Sequence, residues 1–207
     1  IDVAGHGESG TGRTAWTIES FGDDVVAVMD KLDLRDAILV GHSMGGDVVT
    51  DVAGTPPGGV KGVIWVDTYK QLGKLRTADE VQTIVAPFRE KFPETAAPFV
   101  RSMFPASADP ALVERVAADM SSAPPDIAVP VMVAALTYGR SIVDAVAAVK
   151  APVVAINPDN SPTDAASMTA NGVDVVIMPG VGHFLMMEDP ARFNALLKQT
   201  IAEKFAG

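Results

Sequence analysis

The six residues Gly41-His42-Ser43-Met44-Gly45-Gly46 stand between a short apolar run, Ala37–Val40, and a segment of helical period running from Gly45 to about Ala53. A strand that passes into a helix through a serine flanked by glycines must turn sharply. Side chains at 41 and 45 are expected to clash in such a turn. The turn strains the Ser43 backbone and lifts its hydroxyl above the end of the strand, and the next helix aims its N-terminus at the same point. A strand–turn–helix of this kind belongs in a parallel sheet with helices packed on it.

The rest of the chain agrees with that class. Val63–Val66, Val153–Ile156 and Val175–Met178 are short, β-branched runs bounded by Gly, Pro or Asp, which reads as buried strands. Ile18, Phe21, Val25, Val28, Met29 and Leu32 make one helical stripe. Asp189 is expected to N-cap a last helix, with Pro190 at its first position and Phe193, Leu196, Leu197 and Ile201 on one face. Between the second and third strands, Thr77 and Glu80 form a capping box ahead of Val81, Ile84, Val85 and Phe88. Pro87 is expected to kink or end that helix. Asp109-Pro110 opens another, with Leu112, Val113, Val116 and Met120 facing inward. The chain therefore divides into a core part, 1–71, a helical cap inserted at 72–150, and a second core part, 151–207. The cap lies over the strand ends, where open α/β sheets bind ligands.

Composition removes several classes of function. In 207 residues, 26 acidic side chains against 16 basic ones give a formal net charge of −10. Such a chain repels phosphate backbones, so no nucleic-acid partner is expected. Cysteine is absent, which excludes disulfides, thiolate metal sites and cysteine nucleophiles. There are no clustered metal ligands and no phosphate-binding glycines, so neither metal nor cofactor is expected. No apolar run approaches membrane-spanning length, and no membrane partner is expected. The chain opens at Ile1 with no visible signal peptide. Cytoplasmic placement is the expectation, with a secreted or periplasmic origin left open by a processed start.

Gly180-Val181-Gly182-His183-Phe184 follows the last strand, which puts His183 at the same sheet edge as Ser43. Neutral imidazole there can take the Ser43 proton and return it to a leaving group. The Met44 N–H, at the start of the helix, can donate to an oxyanion. Of the other two histidines, His42 lies inside the turn with its side chain expected to point away from the hydroxyl. His6 sits in an early loop that could line the site. Phe99, Met103, Phe104 and residues 184–187 read mostly as core packing. Any that face a cleft would select an apolar acyl or alcohol group.

Taken together, Asp2-x-x-Gly5-His6-Gly7-x-Ser9, Gly41 to Gly46, and Gly182-His183-Phe184 followed by Glu188-Asp189-Pro190 resemble the motifs of α/β-hydrolases, in family order from one end of the chain to the other. The resemblance implies an eight-stranded, mostly parallel sheet with flanking helices and a cap after the sixth strand. The four strands here would be the fifth to eighth, with the N-terminal part of the sheet absent from this chain. Ala37–Val40 would then be an open sheet edge for a second copy or another chain to cover. The resemblance also implies a capped serine hydrolase that cleaves a small, apolar carboxylic ester or related acyl substrate through an acyl-enzyme. The alternatives are a low-turnover signalling or ligand-sensing homologue, or an incomplete, impaired fragment. Haloalkane dehalogenases are similar too, but they use an aspartate nucleophile where Ser43 stands.

The family's acid usually follows the seventh strand. In Ile156 to Asp164 that position falls nearest Ser161, which cannot serve. Asp159 comes slightly early and Asp164 late. A minority of relatives carry the acid directly after the sixth strand, where this chain has Asp67. The order of expectation is Asp159, then Asp67, then Asp164. Capping is the competing role for Asp67, and a turn or N-cap for Asp164.

Overall fold

The computed structural model describes residues 1–55, 59–73, 76–139 and 141–205. Four parallel strands form one sheet in the order β1-β2-β3-β4: β1 Ala37–His42, β2 Val60–Val66, β3 Val153–Pro158 and β4 Val173–Met178. Each runs beyond its apolar stretch, because polar and small residues at the ends still complete the ladder. β2 and β3 are central and buried on both sides. Their alternate residues divide between two cores, as the two-residue period of a strand requires. Val63, Trp65, Val153 and Ala155 pack on one face against α1 (Ile18–Lys31), α2 (Met44–Gly54) and α7 (Ile142–Ala148). Ile64, Val66, Val154 and Ile156 pack on the other against Leu185, Phe193 and Phe205. Phe193 belongs to α10 (Pro190–Lys204), whose N-cap Asp189 accepts from Arg192 N–H.

Among the described residues, five helices lie between β2 and β3: α3 Ala78–Glu90, α4 Phe92–Arg101, α5 Pro110–Ser121, α6 Pro125–Tyr138 and α7. Thr77 and Glu80 make the capping box at the start of α3. Pro87 does not end that helix, which continues to Glu90. The expected inward face of α5 holds in part. Leu112 and Val116 of α5 are buried, but Met120 points outward at 42% exposure, one turn beyond the contact with α4. Val81, Val85, Phe88, Phe92 and Ala96 form a small core of their own with Val129 of α6. Val100, Leu112, Val116 and Ala117 form another with Phe184, from the segment after β4. The five-helix segment thus touches the sheet region through α6, α7 and Phe184.

Candidate active site

The site lies at the carboxyl ends of β1, β2 and β4. Ser43 joins β1 to α2 with φ 53° and ψ −121°. Only four described non-glycine residues have positive φ, and Ser43 and Asp67 are two of them. Each such residue costs on the order of 1–3 kcal/mol and persists only where its surroundings impose it. At the elbow the imposing contacts are steric. A Cβ on Gly41 would come within 2.1 Å of the Gly45 carbonyl oxygen, and one on Gly46 within 2.0 Å of Thr68 Oγ1. Gly45 is different from expectation: a Cβ there would meet nothing within 4 Å, so the crowded pair is 41 and 46. Ser43 N–H donates to Val66 O at 3.0 Å, which ties the elbow to β2. Ser43 Oγ makes no hydrogen bond to a described residue.

His183 is mounted from several directions. Its Nδ1 lies 2.7 Å from Asp67 Oδ2. Its N–H donates to Met103 O at 3.0 Å, just beyond α4. Its carbonyl lies 2.8 Å from His42 Nε2. A carbonyl only accepts, so His42 carries its proton on Nε2. Burial, and then the neighbouring His183, lower the His42 pKa to about 4, so the ring is neutral. The His42 and His183 rings lie 4.5 Å apart. Glu188, in the short α9 (Leu185–Glu188), accepts from the N–H groups on either side of the histidine, Gly182 at 2.9 Å and Phe184 at 3.2 Å.

The acid assignment needs correcting. Asp159 does not reach His183: its Oδ1 accepts from Gly180 N–H at 2.8 Å and closes the turn after β4. Asp164 caps α8 (Ala165–Ala170), accepting from Ser167 N–H at 2.9 Å. Asp67, directly after β2, is the carboxylate paired with His183. Burial pushes its carboxyl up, but hydrogen bonds from His183 and Lys70 and the Lys70 charge more than offset this and hold it below the usual range. An ionised Asp67 keeps the imidazole proton on Nδ1 and leaves Nε2 with a free lone pair. His6 is also not at this site: it is exposed, with its ring edge-on to Phe21 at 5.8 Å.

Sequence reasoning missed three contributors. Lys70 Nζ lies 2.8 Å from Asp67 Oδ1. Tyr69 donates its hydroxyl proton to Asp47 Oδ1 at 2.6 Å, tying the segment after β2 to α2. Asn157 Nδ2 donates to Tyr69 O at 2.8 Å. An aspartate at a strand end followed three residues later by lysine was the signal available for the first. A cavity of about 880 Å³ borders this side of the site, with Thr68, Lys70, Arg76, Thr83, Ile84 and Ser161 in its lining. Ser43 and His183 do not line it, and neither do Phe99, Met103, Phe104 or residues 184–187.

Asp47 has a measurable consequence. It is 4% exposed. Burial raises its carboxyl pKa to about 7, although the Tyr69 hydrogen bond pulls the other way. A group that binds its proton more tightly when folded stabilises the fold below its unfolded pKa. That stability is lost as the pH rises through the folded pKa. The stability of the wild type in urea unfolding is therefore expected to fall from roughly pH 4 to pH 7, by up to about 4 kcal/mol from this group. Asp47→Asn should flatten the dependence. Parallel pH profiles for the two proteins would show that Asp47 does not titrate in this range.

Comparison with known proteins agrees with the fold. An esterase from Thermogutta terrifontis superposes with a TM-score of 0.81 at 22% identity, covering 99% of this chain and 79% of that one. In sequence, the chain is 34% identical over 115 residues to the dihydrolipoyllysine-residue acetyltransferase component of the acetoin cleaving system of Pseudomonas putida, which covers 56% of this chain and 29% of that protein. It is 33% identical over 102 residues to a non-heme chloroperoxidase of Streptomyces lividans, 44% of this chain and 37% of that protein. These stretches span about a third of the curated relatives' own length. The model of the alpha/beta hydrolase family matches residues 1–196, nearly the whole sequence, and the chain belongs to that family.

Proposed function

We propose that the chain carries a serine hydrolase site that cleaves a small carboxylic ester or related acyl compound through an acyl-enzyme. The observation that carries this reading is the 2.7 Å contact between Asp67 and His183, on the sheet edge where Ser43 is held in its strained turn. Ser43 Oγ attacks the acyl carbon while His183 Nε2 takes its proton. The tetrahedral oxyanion accepts from the Met44 N–H, the first of α2. His183 then gives the proton to the leaving alcohol as the C–O bond breaks. Water, deprotonated by the same nitrogen, opens the acyl-enzyme and restores Ser43. The contact between Ser43 Oγ and His183 forms when substrate is bound, since such bonds are often unmade in the free enzyme. Membership of the alpha/beta hydrolase family supports a hydrolase site.

The direct test is a panel of p-nitrophenyl esters of graded chain length, with fluorophosphonate labelling followed by mass spectrometry. Short esters are expected to turn over, and one label is expected, on Ser43. A protein that neither hydrolyses any ester nor takes the label would overturn the proposal. Labelling without turnover would favour a ligand-sensing relative that keeps the site.

A further inference from the structure

The segment after β2 is held by the end of β3 and by the segment that follows it. Asp67 N–H donates to Ile156 O at 3.0 Å. Asn157 donates to Tyr69 O. Asp164 N–H donates to Lys70 O at 2.7 Å. The Lys70 side chain completes the tie, with Nζ 3.1 Å from Pro158 O and 2.8 Å from Asp67 Oδ1. The two Asp67 oxygens are therefore divided, Oδ1 to the ammonium and Oδ2 to His183.

We propose that Lys70 is a positioning residue for the base: it fixes the rotation of the Asp67 carboxylate so that one oxygen meets His183 Nδ1, and its charge sets the pH at which His183 becomes available. The proposal rests on the reading of Ser43, His183 and Asp67 as a hydrolytic triad. Lys70 is a quarter exposed and Asp67 is 8% exposed at the side chain, so water screens the pair only partly. Among the described residues, the groups facing His183 are few. Asp67 is at Nδ1, the neutral His42 ring is at 4.5 Å, and the Phe184 ring is edge-on at 5.1 Å. Glu188 sits under the loop on the backbone N–H groups. A cation beside Asp67 opposes protonation of the ring. Removing it lets imidazolium persist to higher pH, so the acid limb of activity moves up.

Two sets of variants test this on the hydrolysis of p-nitrophenyl acetate across pH. Lys70→Met is expected to lower kcat/KM by about 10-fold to 100-fold, the loss of a charged hydrogen bond. It should also displace the acid limb to higher pH. Lys70→Arg should return the limb to its wild-type place. In an Asp67→Asn background the sign reverses. With Lys70 present the amide oxygen turns to the ammonium and the amide nitrogen faces His183. Without it the amide can turn its oxygen to the ring, so Asp67→Asn with Lys70→Met should be faster than Asp67→Asn alone. If the wild type shows no Ser43-dependent hydrolysis, the triad reading itself fails. If it does hydrolyse, but Lys70→Met keeps the wild-type limb and the double variant is no faster than the single, Lys70 does not position the base.

Discussion

Ser43→Ala is expected to reduce kcat by about 10⁶ and to abolish fluorophosphonate labelling, with the fold intact. The size follows from what alanine removes. Without Oγ there is no acyl-enzyme, and His183 has no proton to take. What remains is binding and the Met44 N–H, which in serine proteases leave a residual rate of roughly 10³–10⁴ over water. Alanine also keeps a Cβ at a position with φ 53°, so the strain of the turn is unchanged. Circular dichroism and urea unfolding should therefore match the wild type. A variant that still hydrolyses esters at the wild-type rate would remove Ser43 from the chemistry.

Asp67→Asn is the second large effect, a loss of about 10⁴ in kcat by analogy with serine proteases. The Lys70 ammonium demands an acceptor on the Oδ1 side, which presents the amide nitrogen to His183. Nδ1 must then accept, the ring proton moves to Nε2, and the base has no lone pair for Ser43. Asp159→Asn and Asp164→Asn act only on a turn and a helix cap, and each should stay within about tenfold of wild type. A severe loss at Asp159 with a mild one at Asp67 would return the acid to the segment after β3.

The reading of the sequence succeeded where local rules decide and failed where two segments compete for one partner. Val63-Ile64-Trp65-Val66 could only be a buried strand. The turn at Ser43 followed from the residues on either side of it. Asp67 and Asp159, in contrast, look alike in sequence: each follows an apolar run at the same edge of a parallel sheet. The difference arises in three dimensions. Gly180 N–H needs an acceptor and takes Asp159, while Asp67 lies between Lys70 and His183. Met120 shows the same limit, since a helical stripe says which residues share a face but not where the packed neighbour ends.

The bond from His183 N–H to Met103 O makes the inserted helices part of the mounting of the base. A rigid swing of α4 and α5 away from the sheet would break that bond and draw Phe104 off the Phe184 ring, on which it stacks at 4.7 Å. His183 would then be held by Asp67 alone on its ring side, without its backbone anchor. On the proposed mechanism, the seating of these helices and the readiness of His183 are then a single event.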